Sequence, residues 1–280
     1  MTKMESSYTR PSWVRMNLQA IAGRSLPRII GAYREPSWIF METIMPILAI
    51  AAYVYIYKAM DAPPQYVGYV IIGGAMTAYW MNVLWSMAAQ FFWEKEQGNL
   101  ELYMMAPISR MSILGGMALG GMFNTSVRAI TTVAVGMFIF NIAFSLNDPL
   151  TFGLIFGLTI FALYGMGMMF ASLYLLWGRQ AIHLSNLMTE PIYLVSGFYF
   201  PVKYLGAMIG AAASIIPITI GLDAMRQLLF PGSGEGFLPV WIESIVLLVL
   251  CFVFFVLAKY MLDYMEMLGK RDGRLTMKWQ

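Results

Sequence analysis

Residues 91–110 read FFWEKEQGNLELYMMAPISR, and apolar sequence flanks them for tens of residues on either side. The chain breaks off here for Glu94, Lys95, Glu96 and Glu101, with Gly98, Asn99 and Pro107 among them. Gly98 is expected to end the helix arriving from the N-terminal side. Asn99 is a good N-cap for a new short helix over 100–105. Pro107 ends that helix, because the residue before a proline disfavours helical geometry. Ser109 can then cap the next apolar helix. On the short helix Leu100, Tyr103 and Met104 share one side and Glu101 lies on another. A plain connection could be shorter and more polar, so apolar side chains here point to the groove of a partner.

What surrounds this break needs lipid. Of 280 residues 59% are hydrophobic and 12% charged, against about 25% charged in soluble domains. A span takes about 20 mostly apolar residues, and six segments qualify: roughly 38–57, 66–93, 113–146, 150–177, 182–200 and 240–260. Pro46 is expected to kink the first, and Glu190–Pro191 to interrupt the fifth. Two stretches do not span. Residues 12–34 form a basic amphipathic helix, with Leu18, Ala22, Ile29 and Tyr33 on one side and Asn17, Arg24, Arg28 and Glu35 on another. Pro27 would bend it, and such a helix belongs in the inner interface. Residues 201–236 hold two apolar pieces split by Pro217, each too short to cross, which makes a re-entrant hairpin. Within it Asp223 and Arg226 can pair on one helix face, and PGSGEG at 231–236 is an outer turn.

Orientation follows from Lys and Arg. With the N-terminus inside, fourteen of the 18 basic residues fall on inner segments. Only Lys58, Lys203 and Arg226 fall outside, and Arg128 lies within a span. The opening MTKMESSYTRPSW has no apolar core, so no secretory signal peptide is expected. The reading is one all-α integral membrane domain over 1–280. It has six transmembrane helices, an interfacial helix at 12–34, a cytoplasmic loop at 94–110 and a re-entrant hairpin at 201–236. The expected location is the cytoplasmic (inner) membrane, multi-pass, with both termini cytoplasmic.

Two stretches carry a resemblance. WEKEQGNLELYMMAPISR with the following ILGGMALGG is similar to the cytoplasmic loop of type-two ABC transporter permeases, which runs E-x-E-x-G-T-L-E, a few apolar residues, A-P-hydrophobic-S, then a glycine-bearing third span. SGFYFPVKYLGAMIGAAASIIPITIGLDAMRQLL at 196–229 resembles the stretch before the family's last span. Asn99 stands where the family usually has Thr, and Glu190 where a neutral residue is expected. The resemblance implies that the short helix is a coupling helix seated in a cleft of a separate ATPase. It places Glu94, Glu96, Gly98, Asn99, Leu100, Glu101, Tyr103, Met104 and Pro107 at that contact. The alternative is that the glutamates only hold the end of the second span at the interface. The implied partners are two copies of an ABC ATPase, a second permease copy (a homodimer ahead of a heterodimer) and membrane lipids, with no nucleic acid. The implied activity is ATP-driven export of an amphiphilic small molecule, lipid or lipid-linked glycan.

The chain has no G-x-x-x-x-G-K-[ST], so it is not expected to be an enzyme or to bind a cofactor itself; ATP and Mg belong to the partner. Cys251 is alone and so is His183, which leaves no disulfide frame and no metal site. G-x-x-x-G occurs at 116–120, 153–157 and 206–210 and is read as close helix packing. Arg128 and Glu190 stand out as intramembrane charges, costly in lipid. They either pair with each other or line a substrate path. The 25 methionines suit an adaptable apolar cavity. An ion-driven secondary transporter would need paired broken helices or acids at mid-depth, and only Glu190–Pro191 fits. A membrane-embedded lipid-modifying enzyme would need clustered His, Asp or Glu near one interface, and none is visible.

Overall fold

The computed structural model describes residues 12–34, 36–234 and 236–271. Long apolar runs become helices because, away from water, each backbone donor and acceptor must find its partner within the segment. The order is α1 (Trp13–Arg34), α2 (Pro36–Ala59), α3 (Gln65–Met81), a π-helical segment (Asn82–Ala88), α4 (Gln90–Glu96), α5 (Leu100–Met105), α6 (Arg110–Phe140), α7 (Pro149–Trp177), α8 (Arg179–Val195), a 3₁₀ turn (Val202–Leu205), α9 (Ala207–Ala213), α10 (Pro217–Leu229) and α11 (Val240–Arg271). No strand occurs among the described residues.

Among the described residues five helices are long and apolar enough to cross a membrane: Phe40–Ala59, Gln65–Glu96, Arg110–Phe140, Pro149–Leu175 and Val240–Arg271. The bent pair α9–α10 would make a sixth if it spanned. The crossing Gln65–Glu96 is central and mostly buried, whereas α2 and α11 are mostly uncovered. The core knits this central crossing to α6 and α7 through Tyr79, Trp80, Leu114, Met117, Leu163 and Tyr164. α7 also packs lengthwise along α11.

Several boundaries differ from expectation for local reasons. The third apolar segment was expected to run to about residue 146, but α6 stops at Phe140 because Asn141 takes the left-handed conformation, φ 55°. α8 runs through Pro191 without a break and ends at Val195. The fifth crossing expected at 182–200 is therefore not among the five: α8 has 17 residues, at the lower limit of about 17–25 for a crossing. α9 and α10 meet at 112°, with Pro217 at the first helical position of α10, where its missing N–H costs nothing. The bend at Pro217 is the one expected.

α1 leaves its apolar side uncovered. Its polar side, not its apolar side, meets the protein. Asn17 is buried, donates to the Trp13 carbonyl (2.8 Å), and accepts from the Ser109 amide (2.7 Å) and the Ser112 hydroxyl (2.8 Å). Leu18, Leu26, Ile30 and Tyr33 face outward. α1 lies along the first half of α6, and the small residues of α6 permit the approach. A Cβ on Gly116 would stand 2.7 Å from the Ile21 carbonyl oxygen, and one on Gly120 3.1 Å from that of Ser25. This is the one G-x-x-x-G of the three whose glycines both meet another helix within the chain. α1 runs through Pro27 as a single helix; Glu35, assigned to its polar side, lies outside the described residues.

Candidate functional site

The break at 97–99 is built as a tight turn. Gly98 sits at φ 78°, a conformation that glycine adopts without the Cβ penalty. The turn is closed from within by Glu94, whose carbonyl accepts from the Asn99 amide (2.9 Å). The buried Glu94 carboxylate accepts from Gln90 (2.7 Å) and Asn99 (3.1 Å) and pairs with Arg24 of α1. Asn99 stands at the N-cap position of α5, but its side chain makes no cap bond; it is drawn to Glu94 instead. Ser109 precedes α6 without a side-chain cap as well, and its amide goes to Asn17.

The expected apolar face of α5 is turned inward. Leu100 is 1% exposed and belongs to the main core, and Tyr103 and Met104 pack against that core. The outward apolar residues are Leu102, 61% exposed, and Met105, 74% exposed, joined by exposed Gln97, Gly98 and Pro107. Glu96 is half-buried. Glu101 belongs to α5, and its side chain lies outside the described set. Arg110 donates to the Met104 carbonyl (3.4 Å) and pairs with Glu266 (2.8 Å). The end of α5 is thereby fastened to α6 and α11.

From this loop a physical connection leads inward along α1. Arg24 pairs with Glu94 and its guanidinium lies over the Tyr103 ring, 5.3 Å from the centroid. One turn further, Arg28 donates to the Ser86 hydroxyl, and its carbonyl accepts from Asn124 (3.1 Å). Arg28, Ser86 and Asn124 line a cavity of about 1080 Å³.

That cavity lies among α1, α2, the central crossing, α6 and the stretch around the end of α8. Its polar lining also includes Glu42, Thr77, Asn82 and Arg128, and its apolar lining Met45, Met81, Trp85, Val127, Tyr193 and Tyr199. The π-helical segment supplies Asn82, Trp85 and Ser86. A widened turn of this kind re-aims side chains and recurs at functional sites. Asn82 is held by the Tyr164 hydroxyl (2.8 Å).

Arg128 lines this cavity, and it does not pair with Glu190 within the chain. Within the chain the carboxylate facing Arg128 is Glu42 of α2, with which it forms an ion pair. Arg128 also donates to Thr125 (3.0 Å). Glu190 is exposed on α8, within electrostatic reach of the cavity residues Tyr193 and Tyr199. In the sequence Glu42 is legible only as an acid inside an apolar run. Arg28 was legible only as one more basic residue of an interfacial helix. No sequence signal announces the π segment.

The pair expected in the hairpin, Asp223 with Arg226, does not form either. Arg226 is buried and donates to the carbonyls of Gly197 (2.7 Å), Phe198 (2.7 Å), Phe200 (3.1 Å) and Tyr69 (3.0 Å). Asp223 accepts from Gln227 (2.9 Å) and the Phe237 amide (2.7 Å).

Long apolar helices around a large, partly charged cavity, with a short helix offered between two of them, define an all-α multi-pass membrane protein. The chain matches the ABC-2 type transporter family over residues 18–230, from α1 to the end of α10, and it belongs to that family. It is a membrane subunit of an ABC transporter, a permease domain and not a nucleotide-binding one, and such a subunit works with an ATPase partner. No curated protein matches the chain.

Proposed function

We propose that this permease is the membrane half of an ATP-driven exporter of amphiphilic molecules, coupled through α5. Two ATPase copies, carrying ATP and Mg, and a second copy of the chain complete the unit. The membrane is the cytoplasmic one, with both termini inside and α1 at the inner interface. One observation carries the reading. α5 shows Leu102 and Met105 outward while its base is tied by Arg24 to α1, and α1 reaches the cavity one turn later through Arg28. A push on α5 therefore has a packed route to the space where a substrate would sit. Glu94 acts in this route as an internal brace, and Leu102 and Met105 dock, with Leu100, Tyr103 and Met104 packed inward behind them.

Leu102→Asp combined with Met105→Asp is expected to abolish co-purification of the ATPase, and to lower substrate-stimulated ATP hydrolysis about tenfold or more, since central apolar contacts carry most of an interface's energy. Folded yield of the permease should stay near wild type, because both side chains are already exposed. Intact ATPase binding and stimulation in the double variant would refute the assignment.

The topology is tested by thiol labelling. Ser233→Cys, beside the outer turn, and Thr276→Cys, in the C-terminal tail outside the described residues, should label from opposite sides in a Cys251→Ser background. Labelling of both positions from the same side would show that α11 does not cross and would refute this arrangement of the C-terminus.

A further inference from the structure

We infer that the cavity takes amphiphiles with an anionic headgroup, a phosphate or carboxylate, held by Arg28 with Arg128 beside it. The inference rests on the reading of the cavity as the substrate's place. Among the described residues three charged side chains line it: Arg28, Arg128 and Glu42. Glu42 answers Arg128, which leaves the lining with one positive charge in excess. Among the described residues no carboxylate lies within ion-pairing distance of Arg28; its side chain meets the neutral Ser86 hydroxyl. Burial pulls the Arg28 pKa below its ordinary value; Tyr164 opposes that shift, and the neighbouring Arg24 and Arg128 add to it. An anion at this point would relieve both the burial and the repulsion.

Donor capacity points the same way. A guanidinium offers five donors in a fixed fork suited to carboxylate and phosphate; Arg128 turns its terminal nitrogens to Glu42 and Thr125, whereas Arg28 meets the neutral Ser86. Two such groups of unequal commitment, one paired and one free of a carboxylate, form a recognisable seat for a headgroup. The rest of the lining suits a chain: Met45, Met81, Trp85, Val127, Tyr193 and Tyr199 are apolar or aromatic. The volume of about 1080 Å³ stands at the upper end of the about 300–1,000 Å³ typical of ligand pockets. The π-helical turn that aims Ser86 at Arg28 and Trp85 at the apolar wall serves both halves of such a ligand.

The test uses the purified permease without its ATPase, titrated in detergent and read by native mass spectrometry. The probes are oleoyl lysophosphatidate and oleoyl lysophosphatidylcholine, which share a tail and differ in net headgroup charge. Wild type should bind the lysophosphatidate about tenfold more tightly, the scale of one charge-assisted contact. Arg28→Gln should bring the two lipids to near-equal affinity. Arg28→Lys should keep most of the preference, and Lys58→Gln, at the far end of α2, all of it. Millimolar inorganic phosphate should leave bound lysophosphatidate in place; its displacement would show a free-anion site and overturn the amphiphile assignment. Equal binding of the two lipids by wild type overturns the inference without recourse to any variant, as does an unchanged preference in folded Arg28→Gln. Because no ATPase is present, failure here leaves the coupling role of α5 standing. Failure of the Leu102/Met105 test likewise leaves this one intact.

Discussion

Arg226→Met should remove most of the folded, monodisperse permease. The guanidinium is buried and gathers the carbonyls of Gly197, Phe198, Phe200 and Tyr69 at 2.7–3.1 Å, and it lies over the Tyr69 ring at 5.3 Å. These contacts join α10 to α3 and to the chain segment leaving α8. That segment presses so close on α3 that a Cβ on Gly73 would collide with the Phe198 carbonyl oxygen. Methionine fills comparable volume but leaves several buried acceptors without their donor. Each hydrogen bond to a charged group contributes about 1.5–3 kcal/mol, and breaking a buried charged network costs about 3–5 kcal/mol. Total stabilities run only to about 5–15 kcal/mol, so a loss of this size should cut folded yield several-fold and lower the Tm markedly. Arg226→Lys should fall between, since an ammonium is a point donor and cannot spread over four carbonyls. Size-exclusion profiles and thermal unfolding of the two variants decide the matter. Wild-type yield and Tm in Arg226→Met would mean that the carbonyl cradle contributes nothing.

The second large effect is expected at Arg128 and Glu42. An arginine inside the membrane costs about 2.5–3.5 kcal/mol on insertion scales, and the ion pair with Glu42 offsets part of that. Arg128→Glu sets two carboxylates face to face, and Glu42→Arg two guanidiniums. At about 4 Å and an effective dielectric of about 20, such a repulsion is of order 4 kcal/mol. Each single swap should therefore depress folded yield and transport severely. The double swap should recover much of both, because the attraction is restored in reverse and the coupling of neighbours is non-additive. Glu190→Arg provides the contrast, and it should not rescue Arg128→Glu. Rescue by Glu190→Arg together with failure of Glu42→Arg would place the partner of Arg128 on α8, against the geometry described.

These two expectations show where linear reading stops. Glu42 and Glu190 are both acids in apolar stretches, and nothing local distinguishes them as partners of Arg128. The choice is made by the packing that brings α2 against α6. Arg226 invites pairing with Asp223 three residues before it, but the hairpin folds its arginine onto carbonyls from 197–200 and from Tyr69. Buried carbonyls without donors are invisible in a residue pattern, because every residue has one.

On the sequence side stand the features that depend on neighbours within a few residues. Apolar length marks the five long crossings, since a helix is the way an apolar segment satisfies its own backbone in lipid. The glycine and proline at 98 and 107 frame α5, whose extent of Leu100–Met105 is the one expected, because backbone preferences of these residues act locally. Pro217 divides the hairpin for the same reason. The tertiary structure decided every question of facing. Helical period shows that Leu100, Tyr103 and Met104 share a side, but not whether that side meets a partner or the core; only the Arg24 and Glu94 contacts and the packing beneath α5 turn Leu102 and Met105 outward. The polar side of α1 faces inward because Asn17 and Arg24 find buried partners on α6 and α4, and a desolvated hydrogen-bonding group gains more from such a partner than an apolar side chain loses against lipid. The cavity belongs wholly to this second class, since it exists only between elements that are tens of residues apart in the chain.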